Sequence, residues 1–79
     1  MSQLCRVFWD FYGPDSKETA HHFVRHVVEL IQRENLKTGV VKTDVEVYHN
    51  THAAAYCDAD LETGKQLAMA LKSKRSIML

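Results

Sequence analysis

His22 and His26 stand four residues apart, and Glu18 stands four before His22. On a helix, residues four apart are neighbours on one face. Two imidazoles and a carboxylate are ligands for a divalent ion such as zinc. Geometry limits the set. At about 1.5 Å per residue the ends of this ladder lie roughly 12 Å apart, so only the adjacent pair His22 and His26 can share an ion. A solvated helix surface has the same spacing and is the preferred reading, with divalent-metal binding through His22 and His26 kept as an alternative. No cofactor is expected.

His49 and His52 flank Asn50-Thr51, a turn between two alternating segments. If that turn lies at the same end of a sheet as Tyr12-Gly13, then His52, Tyr12 and Asp10 approach one another. A histidine beside a carboxylate can act as a general base or orient a ligand. A pocket near Tyr12, His49 and His52 would make the chain a small-molecule enzyme or binding domain. An ordinary polar turn is the simpler account.

Cys5 and Cys57 form no C-x-x-C pair, so the usual zinc and redox spacings are absent. A register with Trp9 opposite Ala53 sets Cys5 opposite Cys57. A directly cross-strand bond strains disulfide geometry, so both are read as small buried hydrophobes.

The elements that must position these residues follow from periodicity. From Leu4 to Phe11, Cys5, Val7, Trp9 and Phe11 alternate with polar and aromatic neighbours, which predicts a strand with its odd residues buried. Asp15 to Glu34 carries an apolar stripe of Ala20, Phe23, Val24, Val27, Leu30 and Ile31 at helical spacing. Asp15 and Glu18 have the spacing of a capping box, and Asn35 that of a left-handed stop. Val41, Thr43, Val45 and Val47 mark a second strand, and Ala53 to Ala59 a third. A second helix is predicted over Leu61 to Lys72, capped by Asp58 or Asp60, with a buried stripe of Leu61, Leu67, Ala68 and Leu71. Gly64 weakens that helix unless it must approach the sheet closely. Ser76 to Leu79 can be a short fourth strand.

Strand, helix, strand, strand, helix, strand is the split pattern of ferredoxin-like α+β folds. Right-handed crossovers then give a βαββαβ sandwich with an antiparallel sheet in the order 4-1-3-2 and both helices on one face. A two-residue turn at Asn50-Thr51 would pair odd residues with even ones and turn Asp58 into the core, so a three-residue loop ending at His52 is expected.

The chain has 79 residues, 46% hydrophobic and 25% charged, with ten basic and ten acidic side chains. One domain, residues 1–79, is expected. Zero net charge offers no long-range attraction for nucleic acid or anionic lipid. Protonation of all five histidines would carry the chain to about +5. No run approaches 18 apolar residues, so no membrane span is expected. Met1 to Phe11 lacks the pattern of a secretory leader, and a reducing cytoplasm is the expected compartment.

The sheet face opposite the helices should carry Phe8, Tyr12, Tyr48 and Tyr56 between Arg6, Lys42, Asp10, Asp44, Glu46 and Asp58. Its acidic residues would repel phosphate, which argues against base stacking on RNA. The leading expectation is a small non-catalytic interaction protein. It would form a homodimer through an exposed patch of Phe8, Tyr48 and Tyr56, with Arg6 or Lys42 of one copy pairing with carboxylates of the other across a two-fold axis.

Overall fold

A computed structural model describes residues 3–79. Met1 and Ser2, which open the segment read for a leader, lie outside the described residues. The elements are β1 (Leu4–Tyr12), α1 (Ser16–Arg33), a 3₁₀ turn (Lys37–Gly39), β2 (Val40–His49), β3 (His52–Asp60), α2 (Leu61–Ala70) and β4 (Arg75–Met78). The four strands form one antiparallel sheet ordered β2-β3-β1-β4. This is the expected α+β architecture.

Alternation sorts the strand residues between two faces. Cys5, Val7, Trp9, Ala55, Cys57 and Ala59 pack with Val27, Leu30 and Ile31 of α1 and Leu67 of α2. Large residues of β1 meet small ones of β3, which is how two helices settle on a flat sheet without voids. Trp9 is buried, lies 5.4 Å from the Phe23 ring, and donates its indole N–H to the Leu71 carbonyl at 3.1 Å. The central register differs from expectation by two residues. Trp9 faces Ala55, Val7 faces Cys57, and Cys5 faces Ala59, so the two cysteines are not cross-strand partners. A slide of two preserves every side chain's face, and alternation alone does not fix it.

The hairpin between β2 and β3 also differs. His49 pairs with His52, leaving a two-residue turn, and the register shifts between Val47 and His49. Tyr48 is therefore the extra residue of a β-bulge. The bulge restores odd-to-odd pairing from Val47↔Ala53 onward, and so keeps Asp58 off the core without a longer loop.

Both helices end in left-handed residues. Asn35 has φ 61°, with Leu36 N–H bonded to the Ile31 carbonyl and Asn35 N–H to that of Gln32. Lys72 has φ 57°, with Ser73 N–H bonded to the Ala68 carbonyl. Asparagine tolerates this conformation, whereas for lysine it costs about 1–2 kcal/mol. The turn at Lys72 ends α2 at Ala70, two residues earlier than the apolar stripe predicted.

At the helix starts, Asp60 caps α2, its Oδ1 accepting Thr63 N–H at 2.7 Å. Asp15 makes no side-chain cap on α1, because its ψ of 14° does not turn the carboxylate over the first amides. The predicted capping box does not form. Gly64 is needed for close approach, since a Cβ there would collide with Cys5 Sγ.

The sheet has two outer edges. On β2 the Val45 N–H bonds to the Asp44 carboxylate at 2.7 Å, and register shifts interrupt the strand at both ends. β4 is only four residues long and pairs with Cys5–Phe8, leaving Trp9–Tyr12 without a strand neighbour on that side among the described residues. No helix among the described residues is long and apolar enough to cross a membrane.

Candidate functional site

On β1, β2 and β3 the open face is built from even-numbered residues. Arg6 faces Asp58, Phe8 faces Tyr56, Asp10 faces Ala54, and Tyr12 faces His52 across β1 and β3. β2 adds Lys42, Asp44 and Glu46, and β4 adds Arg75 beside Phe8.

The centre of this face is sealed. Phe8 is 3% exposed and Tyr56 7%, with Ala54 buried beside them, which overturns the expectation of one open patch of Phe8, Tyr48 and Tyr56. Two arginines are the cause. Arg6 lies over the Tyr56 ring at 4.2 Å and donates to both oxygens of Asp58 at 2.6 and 2.9 Å. Arg75 lies over the Phe8 ring at 3.9 Å and donates to both oxygens of Asp10 at 3.0 and 2.7 Å. A flat, weakly hydrated guanidinium covers an aromatic face while its edge grips a carboxylate. Arg6 is therefore paired within its own chain, where the expectation was a bond to a second copy. Arg75 lies one residue before the fourth strand that the sequence predicts from Ser76. The signal was its two-residue spacing from Ile77, which sets both on one face.

One end of the face stays open. Tyr12 is 74% exposed and Tyr48 38%. Both pack on His52, with ring centroids 4.5 Å away in each case. His52 Nε2 lies 2.9 Å from Asp10 Oδ1, and Arg75 also donates to the Tyr48 hydroxyl at 2.7 Å. Tyr12, His52, Asp10, Arg75 and Tyr48 thus form one connected group across all four strands. Burial works against the Asp10 charge, but hydrogen bonds from His52 and Arg75 outweigh it and hold the carboxyl below its ordinary range. Desolvation likewise opposes the Arg75 charge, and its bonds to Tyr48 and Asp10 overcome that.

Known protein families, curated proteins and solved structures offer no match to this chain. The group has to be read from its own chemistry. With Asp10 ionised, His52 donates from Nε2, and its Nδ1 is left for another partner, as an acceptor when the ring is neutral. Among the described residues no hydroxyl or thiol bonds to that ring. The arrangement holds an imidazole and two phenols in fixed positions, which suits orienting a bound group more than attacking it.

His49 lies beside this group but turns to its own loop, where Nδ1 meets Thr51 N–H at 3.3 Å and the Thr51 hydroxyl at 3.1 Å. Its ring centroid is 5.8 Å from that of His52. His22 and His26 are exposed on α1, the layer on the other side of the sheet, and their rings meet edge to face at 5.1 Å. His26 also lies 3.9 Å from Glu29. No three or more His, Cys, Asp or Glu side chains among the described residues are grouped to hold one ion. Cys5 and Cys57 are free and buried. Burial, reinforced by nearby carboxylates, pushes both thiols up, Cys57 to about 12.

Proposed function

We propose that this protein is a small non-catalytic interaction module whose contact surface is the open sheet face, and that a second copy of the chain is its partner. The observation that carries the reading is the Tyr12–His52–Tyr48 group. An exposed tyrosine that is already stacked and anchored loses little side-chain freedom on binding, which is the property of an interface anchor. Lys42, Asp44 and Glu46 have no ion pair among the described residues and bring both signs to the same face. A two-fold axis can match them. The molecule measures 38 × 25 × 18 Å, and its broad face has room for the roughly 800 Å² that each side of a standard interface buries.

Sedimentation equilibrium up to high micromolar concentration tests the proposal. Wild type should associate, and Tyr12→Asp and Tyr48→Asp should be folded monomers. Phe8→Asp is unsuited to this purpose, because Phe8 is internal to the chain. A wild type that stays monomeric overturns self-association.

A second reading is favoured by the 2.9 Å contact of His52 with Asp10. A small polar ligand near Tyr12, His49 and His52 would be oriented by His52 Nδ1. Ligand screening that moves the His52 ring resonances in wild type, and not those of an Asp10→Asn variant, would support it. Nucleic acid is not a proposed partner, since Asp10, Asp44, Glu46 and Asp58 share the face. Two unbonded, buried thiols fit a reducing compartment such as the cytoplasm.

A further inference from the structure

Leu79 N–H bonds to the Leu4 carbonyl across β1 and β4. Backbone groups alternate sides along a strand, so the even residues of β1 present N–H and C=O toward β4. Leu4, Arg6 and Phe8 find partners there, the Phe8 carbonyl accepting from the Ser73 hydroxyl at 2.7 Å. β4 then stops at Arg75. Asp10 and Tyr12 face the same way, and no β4 residue pairs with them. Among the described residues these groups have no partner, and they are both donors and acceptors at strand spacing, which is the pattern another main chain satisfies.

Below this half-edge is a cleft of about 550 Å³. Its floor is apolar, with Trp9, Phe11, Phe23 and Leu71, and its lip carries Lys72, Lys74 and Arg75. Arg75 is neutralised by Asp10, but neither lysine has an ion pair among the described residues. Lys72 also holds the left-handed position that glycine would fill without strain. A residue that breaks a local rule at the mouth of a cleft points to a use for its charge.

We propose that the vacant half-edge of β1 takes an extended peptide from a partner protein, as an added strand beyond β4, with an apolar side chain in the cleft and an acidic side chain at Lys72 and Lys74. The Asp10 and Tyr12 main chain gives affinity, the cleft reads the apolar residue, and the lysines select its charge. This surface lies along the sheet edge, and its test does not depend on whether the open face self-associates.

The probe is a capped pentapeptide with three central valines between two glutamates, titrated into ¹⁵N-labelled protein. The Asp10 and Tyr12 amides should shift together, with saturation below about 1 mM. Lysine in place of glutamate, or N-methylation of the central valines, should each weaken binding at least about fivefold. Lys72→Gly should weaken binding to a similar extent while raising the melting temperature by about 4 °C or more. Lys72→Gln should weaken it with no such gain. Absence of shifts at 1 mM, or undiminished binding of the N-methylated peptide, would overturn strand addition. Octanoate binding as tightly as the peptide would overturn it in favour of a small-carboxylate cleft.

Discussion

The guanidinium of Arg75 sits 3.9 Å above the Phe8 ring and, in the same pose, grips both oxygens of Asp10. It is at once the lid of the apolar centre and the tie to the histidine group. Arg75→Ala should lower stability by about 1 kcal/mol, a modest figure because the side chain is 41% exposed and screened. Arg75→Lys should recover less than half of this, since an ammonium neither stacks flat nor bonds bidentately. Urea midpoints of the three proteins decide. A lysine variant as stable as wild type would reduce the contact to charge alone.

Asp10 gives a pH signature. Its folded value is depressed, while the unfolded value is near 3.9. The stability it contributes is complete above the unfolded value and is lost as pH falls through the folded one. Urea midpoints should therefore drop on acidification below about pH 4. Asp10→Asn should shrink the drop without removing it, because Asp60, lowered chiefly by the Thr63 backbone N–H, titrates in the same direction. An unchanged slope in the variant would disprove the coupling.

Gly64→Ala sets two effects against each other. Alanine gains roughly 1 kcal/mol in helix propensity, but its Cβ meets Cys5 Sγ. Overpacking of this kind costs about 1–3 kcal/mol, so the net change should be destabilising. In a Cys5→Ala background the same substitution should become neutral or favourable. Thermal melts of the four proteins form a double-mutant cycle, and additivity would rule out the contact.

Trp9→Ala should cost about 3–5 kcal/mol and unfold so small a domain. Trp9→Phe should retain the fold at a smaller cost, losing the bond to Leu71 and part of the ring packed near Phe23. Native Trp9 fluorescence should resist iodide. Strong quenching would contradict its burial.

Neither thiol should react quickly in the folded protein. Cys57 is held near 12 and Cys5 is also raised, so at pH 8 a disulfide reagent should modify them only as fast as the chain opens. Rapid labelling of Cys57 in native buffer would exclude the packing described.

Alternation along Leu4–Phe11 and Val41–Val47 was enough to assign strands and faces, and the helical stripe from Ala20 to Ile31 was enough to seat α1. What it left open was any displacement by an even number of residues. The pairing of Trp9 with Ala55 in place of Ala53 belongs to that class. The bulge at Tyr48 was hidden because nothing in His49-Asn50-Thr51-His52 distinguishes a longer loop from a tight turn with one residue absorbed upstream. In the candidate site, the meeting of Tyr12, His52 and Asp10 was legible from topology. The sealing of Phe8 was not, because it depends on where Arg75 enters β4, 67 positions away in sequence.

The carboxylate of Asp44 on the Val45 N–H has a consequence for growth. A sheet that propagates from molecule to molecule needs two receptive margins on each subunit, one to give and one to take. Here the β2 margin has its Val45 N–H taken by the Asp44 side chain and is irregular at both ends. Among the described residues the β4–β1 margin is the more receptive of the two. Association along this direction is therefore disfavoured beyond one partner, and open-ended fibres lack a well-matched repeat.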